Sequence, residues 1–203
     1  MWVTSKVAKD ELVKILKRRT DMYQNLLEVK AELPSKKIDI SEIKNKILNK
    51  TISSSENDKT YLDKLFDSCL RKAQLTTEID PYEYIYLLPY LKSDMGVMIF
   101  RIDSLINDMD KKQIVDYSKI PKVFELYKYL KRKLPQVNSH DSDIRIICDA
   151  IGYSNNDIDT KFITGDHYHL THYQNIISYS NEVFDKDIER QMAIMDTSSY
   201  IYS

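Results

Sequence analysis

Residues 140–172 hold the densest set of side chains that could do chemistry. Asp141, Ser142 and Asp143 open an apolar run in which Ile144, Ile147 and Ile151 recur at helical spacing. That pattern predicts a helix with Asp141 or Ser142 at its N-cap and Gly152 as its C-cap. After a polar run, residues 161–164 (Lys-Phe-Ile-Thr) predict a short strand that ends in a tight Gly165-Asp166 turn. A helix start and a strand end thus each present a carboxylate, the oxygen ligand that hard divalent cations take. His167, His169 and His172 offer imidazoles of the kind that suit Zn²⁺ or Ni²⁺. No cysteine or further histidine at ligand spacing accompanies them, so a polar surface turn is expected there instead.

On these residues the chain resembles the C-terminal half of a PIN domain, a family of metal-dependent nucleases. Asp143 stands where the family has an Asp opening an apolar helix rich in small residues. Phe162-Ile163-Thr164-Gly165-Asp166 stands where the family has a buried strand ending Thr-Gly-Asp or Thr-x-Asp, and His169-Leu170 suits one branch of it. The N-terminal run from Val3 to Leu12 resembles the family's second block, a strand-to-helix junction that places a Glu on the first helical turns. Glu11 is the matching position. Taken alone, Asp10 and Glu11 are also what a helix dipole favours near an N-terminus.

The resemblance implies a three-layer α/β/α fold with a short, mainly parallel sheet, built from residues 1–33 and 137–203. Residues 34–136 are then a helical insertion or cap, and the chain is helix-rich overall. It also implies a site. Several carboxylates in one cleft repel one another unless a cation neutralises them, and Mg²⁺ or Mn²⁺ would do so. Glu11, Asp143 and Asp166 are the implied metal ligands and catalytic residues. Asp141 is an auxiliary candidate, and the Thr164 hydroxyl could orient a ligand or a water. The implied activity is endoribonucleolytic hydrolysis of phosphodiester bonds, toxin-like in character, with RNA as substrate and an antitoxin, another protein or a second copy as partner. Two other classes stay open: a degenerate PIN-like module that binds RNA or protein without cutting, and a helical interaction protein whose acidic pattern is coincidental.

The chain departs from the family at one place. The family's first strand, central in its sheet, ends in an Asp ahead of the block that begins here near Trp2. Three explanations stand. That Asp could lie upstream, it could have been lost, or it could be supplied internally by the apolar run 97–106, which ends its first half in Asp103-Ser104.

The rest of the chain must position these residues. It has 203 residues, ample for a buried core. Lys and Arg number 30 against 31 Asp and Glu, so no global field favours nucleic acid and any such contact needs a local basic face. Lys14, Lys17, Arg18 and Arg19, and again Lys128, Lys131, Arg132 and Lys133, are the candidate phosphate contacts, though solvated helix faces explain them as well. Tyr82, Tyr84 and Tyr86 could stack bases or pack a helix. Cys69 and Cys148 lack metal-ligand spacing and suit buried thiols in a reducing cytoplasm. No apolar run is long enough to span a membrane. Only 3 glycines and 5 prolines favour long helices over tight turns.

Element by element, Val3 and Thr4 lie in an expected strand and Ser5 caps a helix. Ser41 is expected to cap a short helix, and residues 51–58 to form a loop. An amphipathic helix follows around 61–70. Asp80-Pro81 should open another, kinked or ended by Pro89. A helix is expected over 118–134. Beyond Asp166, a short helix ending near His172, a strand at 175–179 and a closing helix over 181–195 complete the expectation.

Overall fold

The computed structural model describes residues 3–116, 119–134, 141–154, 160–164, 167–185 and 192–196. The architecture is α/β and mostly helical. The element order is β1 (Val3–Ser5), α1 (Lys6–Ala31), β2 (Ile38–Asp39), α2 (Ile40–Lys50), α3 (Glu56–Ala73), β3 (Glu78–Ile79), α4 (Pro81–Asp110), β4 (Gln113–Val115), α5 (Pro121–Lys133), α6 (Asp141–Ser154), β5 (Thr160–Thr164), α7 (His167–Phe184) and β6 (Met192–Asp196). The chain divides into two compact units, one of residues 1–11 with 109–203 and one of residues 12–108.

The second unit is a helical body. Met22, Leu26 and Val29 of α1, Ile43 and Ile47 of α2, Leu62, Phe66 and Cys69 of α3, and Tyr84, Leu87, Leu91 and Met95 of α4 share one apolar core. A two-residue antiparallel pairing, Ile38 with Ile79 and Asp39 with Glu78, ties the start of α2 to the start of α4. Its helix ends are satisfied locally. Asp39, not Ser41, caps α2, and its Oδ1 accepts the Ser41 N–H at 2.7 Å. The expected loop stops early, because Ser55 and Asp58 form a capping box that opens α3. Asp80 accepts from Tyr82 and Glu83 while Glu83 accepts from the Asp80 N–H, as Asp-Pro at a helix start suggests.

Pro89 neither ends nor interrupts α4, which runs through it to Asp110. Its neighbours Leu87, Leu88 and Leu91 are buried, so core burial on one face outweighs one missing backbone hydrogen bond on the other. The stretch 97–106 is therefore helix, and Asp103 is an exposed helical side chain rather than the end of a strand.

The other unit carries the remaining strands as two parallel pairs. β1 pairs with β4, Val3 to Gln113 through Ser5 to Val115. β5 pairs with β6, Thr160 to Met192 through Thr164 to Asp196. Among the described residues these pairs are separate sheets rather than one. Their core is shared by Val123, Leu126 and Leu130 of α5, Ile144, Ile147, Cys148 and Ile151 of α6, and Ile176, Ile177 and Phe184 of α7. α6 begins at Asp141 and passes through a buried Gly152 to Ser154, so Gly152 is a packing residue and not the expected cap. The expected strand at 175–179 and closing helix are also corrected. One helix covers Ile176, Ile177, Ser180 and Phe184, which are buried at a period of three to four, and β6 takes residues 192–196.

The helical unit contains a buried set of charges. Asp58 is 1% exposed; Arg18 Nε and Arg19 Nη1 each approach its carboxylate at 2.9 Å. Arg19 also lies 3.6 Å over the Tyr61 ring. Truncating one member of a buried charge set leaves the others unpaired in a poor solvent. Asp58→Ala is expected to lower unfolding free energy by about 3–5 kcal/mol, read from urea titration against the wild-type chain.

Candidate functional site

The strand-to-helix junction at the N-terminus is built around one hydroxyl. Ser5 Oγ accepts the Val7 N–H at 3.1 Å, capping α1 as its residue type suggests. The same oxygen donates to Asp149 Oδ2 at 2.6 Å, from β1 to α6 across 144 residues of chain. Asp149 is fully buried. Beyond the C-terminal ends of β1 and β4, Lys6 lies 3.6 Å from Asp116; further along α1, Lys9 pairs with Asp110 at the end of α4. Ligand-binding groups collect outside the carboxyl ends of parallel strands, and this edge carries Ser5 and Asp116.

α6 carries three carboxylates in different settings. Asp141, in the first turn, faces α5. It accepts from Tyr127 Oη and Lys131 Nζ, the latter at 3.2 Å, and from Arg145 Nε at 2.9 Å. Arg145 also lies 5.0 Å over the Tyr127 ring. Asp143 is half-buried on the same turn, about 200° around the axis from Asp141. Asp149 lies about 9 Å further along the axis than Asp143. Next to it, burial first and then the Asp149 charge push the Cys148 thiol well above its ordinary pKa, so this cysteine is inert packing. Cys69 behaves alike in the other unit, where burial and then Asp94 push it up to about 11.

Of the residues singled out by sequence, Glu11 is half-buried in the second turn of α1, in the same unit as Asp143. Thr164 is the last residue of β5, in register with Asp196. Asp166 lies outside the described residues. His167, His169 and His172 fall on α7. Among the described residues, no three His, Cys, Asp or Glu side chains come together as a set that could hold a metal ion. The donors present are hard carboxylate oxygens, which fits Mg²⁺ or Mn²⁺ rather than a soft metal.

The basic runs are largely committed within the chain. Arg18 and Arg19 serve Asp58, Lys131 serves Asp141, and Lys128 lies 4.3 Å over the Phe124 ring. Tyr84 is buried and donates to the Leu26 carbonyl at 2.9 Å, whereas Tyr82 and Tyr86 are exposed.

Two acidic positions escape sequence reasoning. Asp116 follows Gln113-Ile114-Val115, a run too short to stand out as a strand. Asp149 sits beside the apolar stripe of α6, and its partner Ser5 lies on β1, 144 residues away, which no local pattern discloses. Comparison of the chain with protein-family models, curated proteins and solved structures returns no match.

Two measurements follow from these contacts. Ser5→Ala removes a helix cap and one partner of a buried carboxylate together, and is expected to cost about 2–4 kcal/mol in urea titration. For Asp141, burial works against the charge, but Tyr127, Lys131 and Arg145 outweigh it and hold the pKa below 3.8. A depressed folded-state pKa means stability that is present above the unfolded value, about 4, and lost as pH falls through the folded one. The stability difference between wild type and Asp141→Asn is therefore expected to stay constant above about pH 5 and to shrink on further acidification.

Proposed function

We propose that this chain is a Mg²⁺- or Mn²⁺-dependent endoribonuclease with a PIN-like site. Glu11, Asp143 and Asp166 would hold the cation. The reading rests on the resemblance in residues 3–12 and 143–166. The structural observation that supports it best is the position of α6, which contacts both β1 and β5. One acidic helix thus touches two parallel strand pairs, and it carries Asp143 at its N-terminal end.

The cation, when bound, supplies charge neutralisation at the scissile phosphate and lowers the pKa of a water. The chain's own residues do the rest. Glu11 and Asp143 offer half-buried oxygens from two helices, and Ser5 with Asp149 fixes the β1–α1 junction on which Glu11 is carried. Thr164 ends the strand that leads to Asp166. An RNA substrate and a toxin-like role, with an antitoxin or other protein partner, belong to the same proposal.

A non-catalytic PIN-like module is the second reading. It is favoured by Asp141, whose carboxylate is already occupied by Lys131 and Arg145. Cleavage of a mixed RNA pool with Mn²⁺ separates the two. The nuclease reading expects cleavage that falls at least about a hundredfold in Asp143→Asn. Cleavage that survives this substitution overturns the site. Thermal stabilisation by Mn²⁺, lost in Asp143→Asn but without cleavage in either protein, selects the non-catalytic module. Neither cleavage nor stabilisation leaves the helical interaction protein.

A further inference from the structure

The second, helical unit carries a surface that the nuclease reading does not use. α4 buries Tyr84, Leu87, Leu88, Leu91 and Met95 on one side, yet between Tyr82 and Phe100 the centre line of its opposite side carries no charge; Lys92, at the flank, lies 5.3 Å over the Tyr23 ring, and Asp103 comes beyond its end. Tyr82, Tyr86, Pro89, Ser93, Gly96 and Phe100 form a line along that side, spaced four, three, four, three and four residues apart. This is the heptad seam of a helix that packs on another helix. The large members are strongly exposed: Tyr82 is 82%, Tyr86 55% and Phe100 73% accessible. Ile85 and Val97 flank the line and are also exposed. In a chain whose residues are 30% charged, an uncharged strip about 27 Å long is a docking surface rather than a solvated face.

We propose that this strip pairs antiparallel with the same strip of a second copy. Its spacing permits that occupant, and its side-chain sizes and exposed area favour it. A two-fold contact requires that residue i meet residue j and that j meet i. The spacing four-three-four-three-four is the same in both directions, so the seam can face itself. In that register Tyr82 meets the second copy's Phe100, Tyr86 meets Gly96, Pro89 meets Ser93, and the flanking Ile85 meets Val97. Sizes match as well as spacings. Tyr86 is the bulkiest side chain of the inner seam and falls opposite Gly96, where an added Cβ would meet nothing within 4 Å beyond its chain neighbours and the backbone of its own helical turns. Large against small is how facing helices interdigitate.

With about 200 Å² for a fully exposed aromatic side chain, the strip exposes roughly 600 Å² per copy; complete burial would remove about 1,200 Å² in the pair, the lower bound of stable interfaces, so the dimer is expected to be concentration-dependent. Nucleic acid fits poorly, since phosphates need cations and the strip has none. This inference is independent of the nuclease reading and stands whether or not the chain cuts RNA.

The test is sedimentation equilibrium of the full chain over a range of concentrations. Wild type is expected to form a dimer. Tyr82→Lys and Phe100→Glu are each expected to weaken it at least tenfold. The double variant is expected to recover most of that loss, because the ammonium introduced in one copy then faces the carboxylate introduced in the other. Gly96→Leu tests the same register without charge. It is expected to leave the monomer's thermal stability unchanged or raised while weakening the dimer at least tenfold, by filling the space that receives Tyr86. A wild-type chain that stays monomeric throughout overturns the proposal, including one that instead binds neutral lipid vesicles or RNA through this strip. A dimer indifferent to Tyr82→Lys, Phe100→Glu and Gly96→Leu also overturns it, since its interface must then lie elsewhere.

Discussion

The constraint that shapes the strand-bearing unit is that a pair of parallel strands cannot stand alone. Three residues of β1 against three of β4, and five of β5 against five of β6, bury too little to hold their own backbone in place. α6 supplies what they lack. Its apolar stripe of Ile144, Ile147 and Ile151 packs into the same core as α5 and α7, and it touches both β1 and β5. The helix that stabilises the strands is also the one that carries Asp141, Asp143 and Asp149. Support for the strands and three carboxylates therefore share one element, and that helix must tolerate all three.

It does so by giving them different surroundings. Asp141 is held by two cations and a phenol at the rim between α5 and α6, an arrangement that fixes the helix start and keeps the group ionised. Asp149 is taken fully out of solvent and meets a hydroxyl that itself caps another helix. Such a carboxylate specifies where β1 must sit, because a displaced strand would leave it without that bond. Asp143 is half-buried and lies about 200° around the helix from Asp141 and the cations that hold it.

Local signals make several elements legible in the sequence. Ser5, Asp80-Pro81 and the stripe of α6 carry their chemistry in neighbouring residues, and each element begins within a residue or two of where that chemistry puts it. The departures share a cause, which is burial by distant parts of the chain. Glycine often ends a helix, but Gly152 is buried within α6 and its missing side chain serves packing. Ile176 and Ile177 are β-branched and suit a strand; the longer period through Ser180 and Phe184 decides for a helix. Of the candidate site, Glu11 and Asp143 come from their sequence blocks alone. Asp149 is not legible in this way, because its hydrogen-bond partner Ser5 lies 144 residues away.

The second half of α4 suits helix and strand equally well as a sequence. A helix with one buried face alternates apolar and polar residues in a recognisable rhythm. α4 does not, because apolar side chains lie on two faces: Leu87, Leu91 and Met95 toward the core, and Tyr86, Val97 and Phe100 toward solvent. The ambiguity is thus a structural signal in its own right. Pro89 fits the same logic. On the solvated side of a lone helix its missing N–H would be a cost with no return. In a helix seam it places a compact apolar ring opposite Ser93 and needs no donor, since side chains alone make that contact. An element that is apolar on two sides, long, and interrupted by a proline that does not break it is built to be covered twice: once by its own chain and once by a second helix.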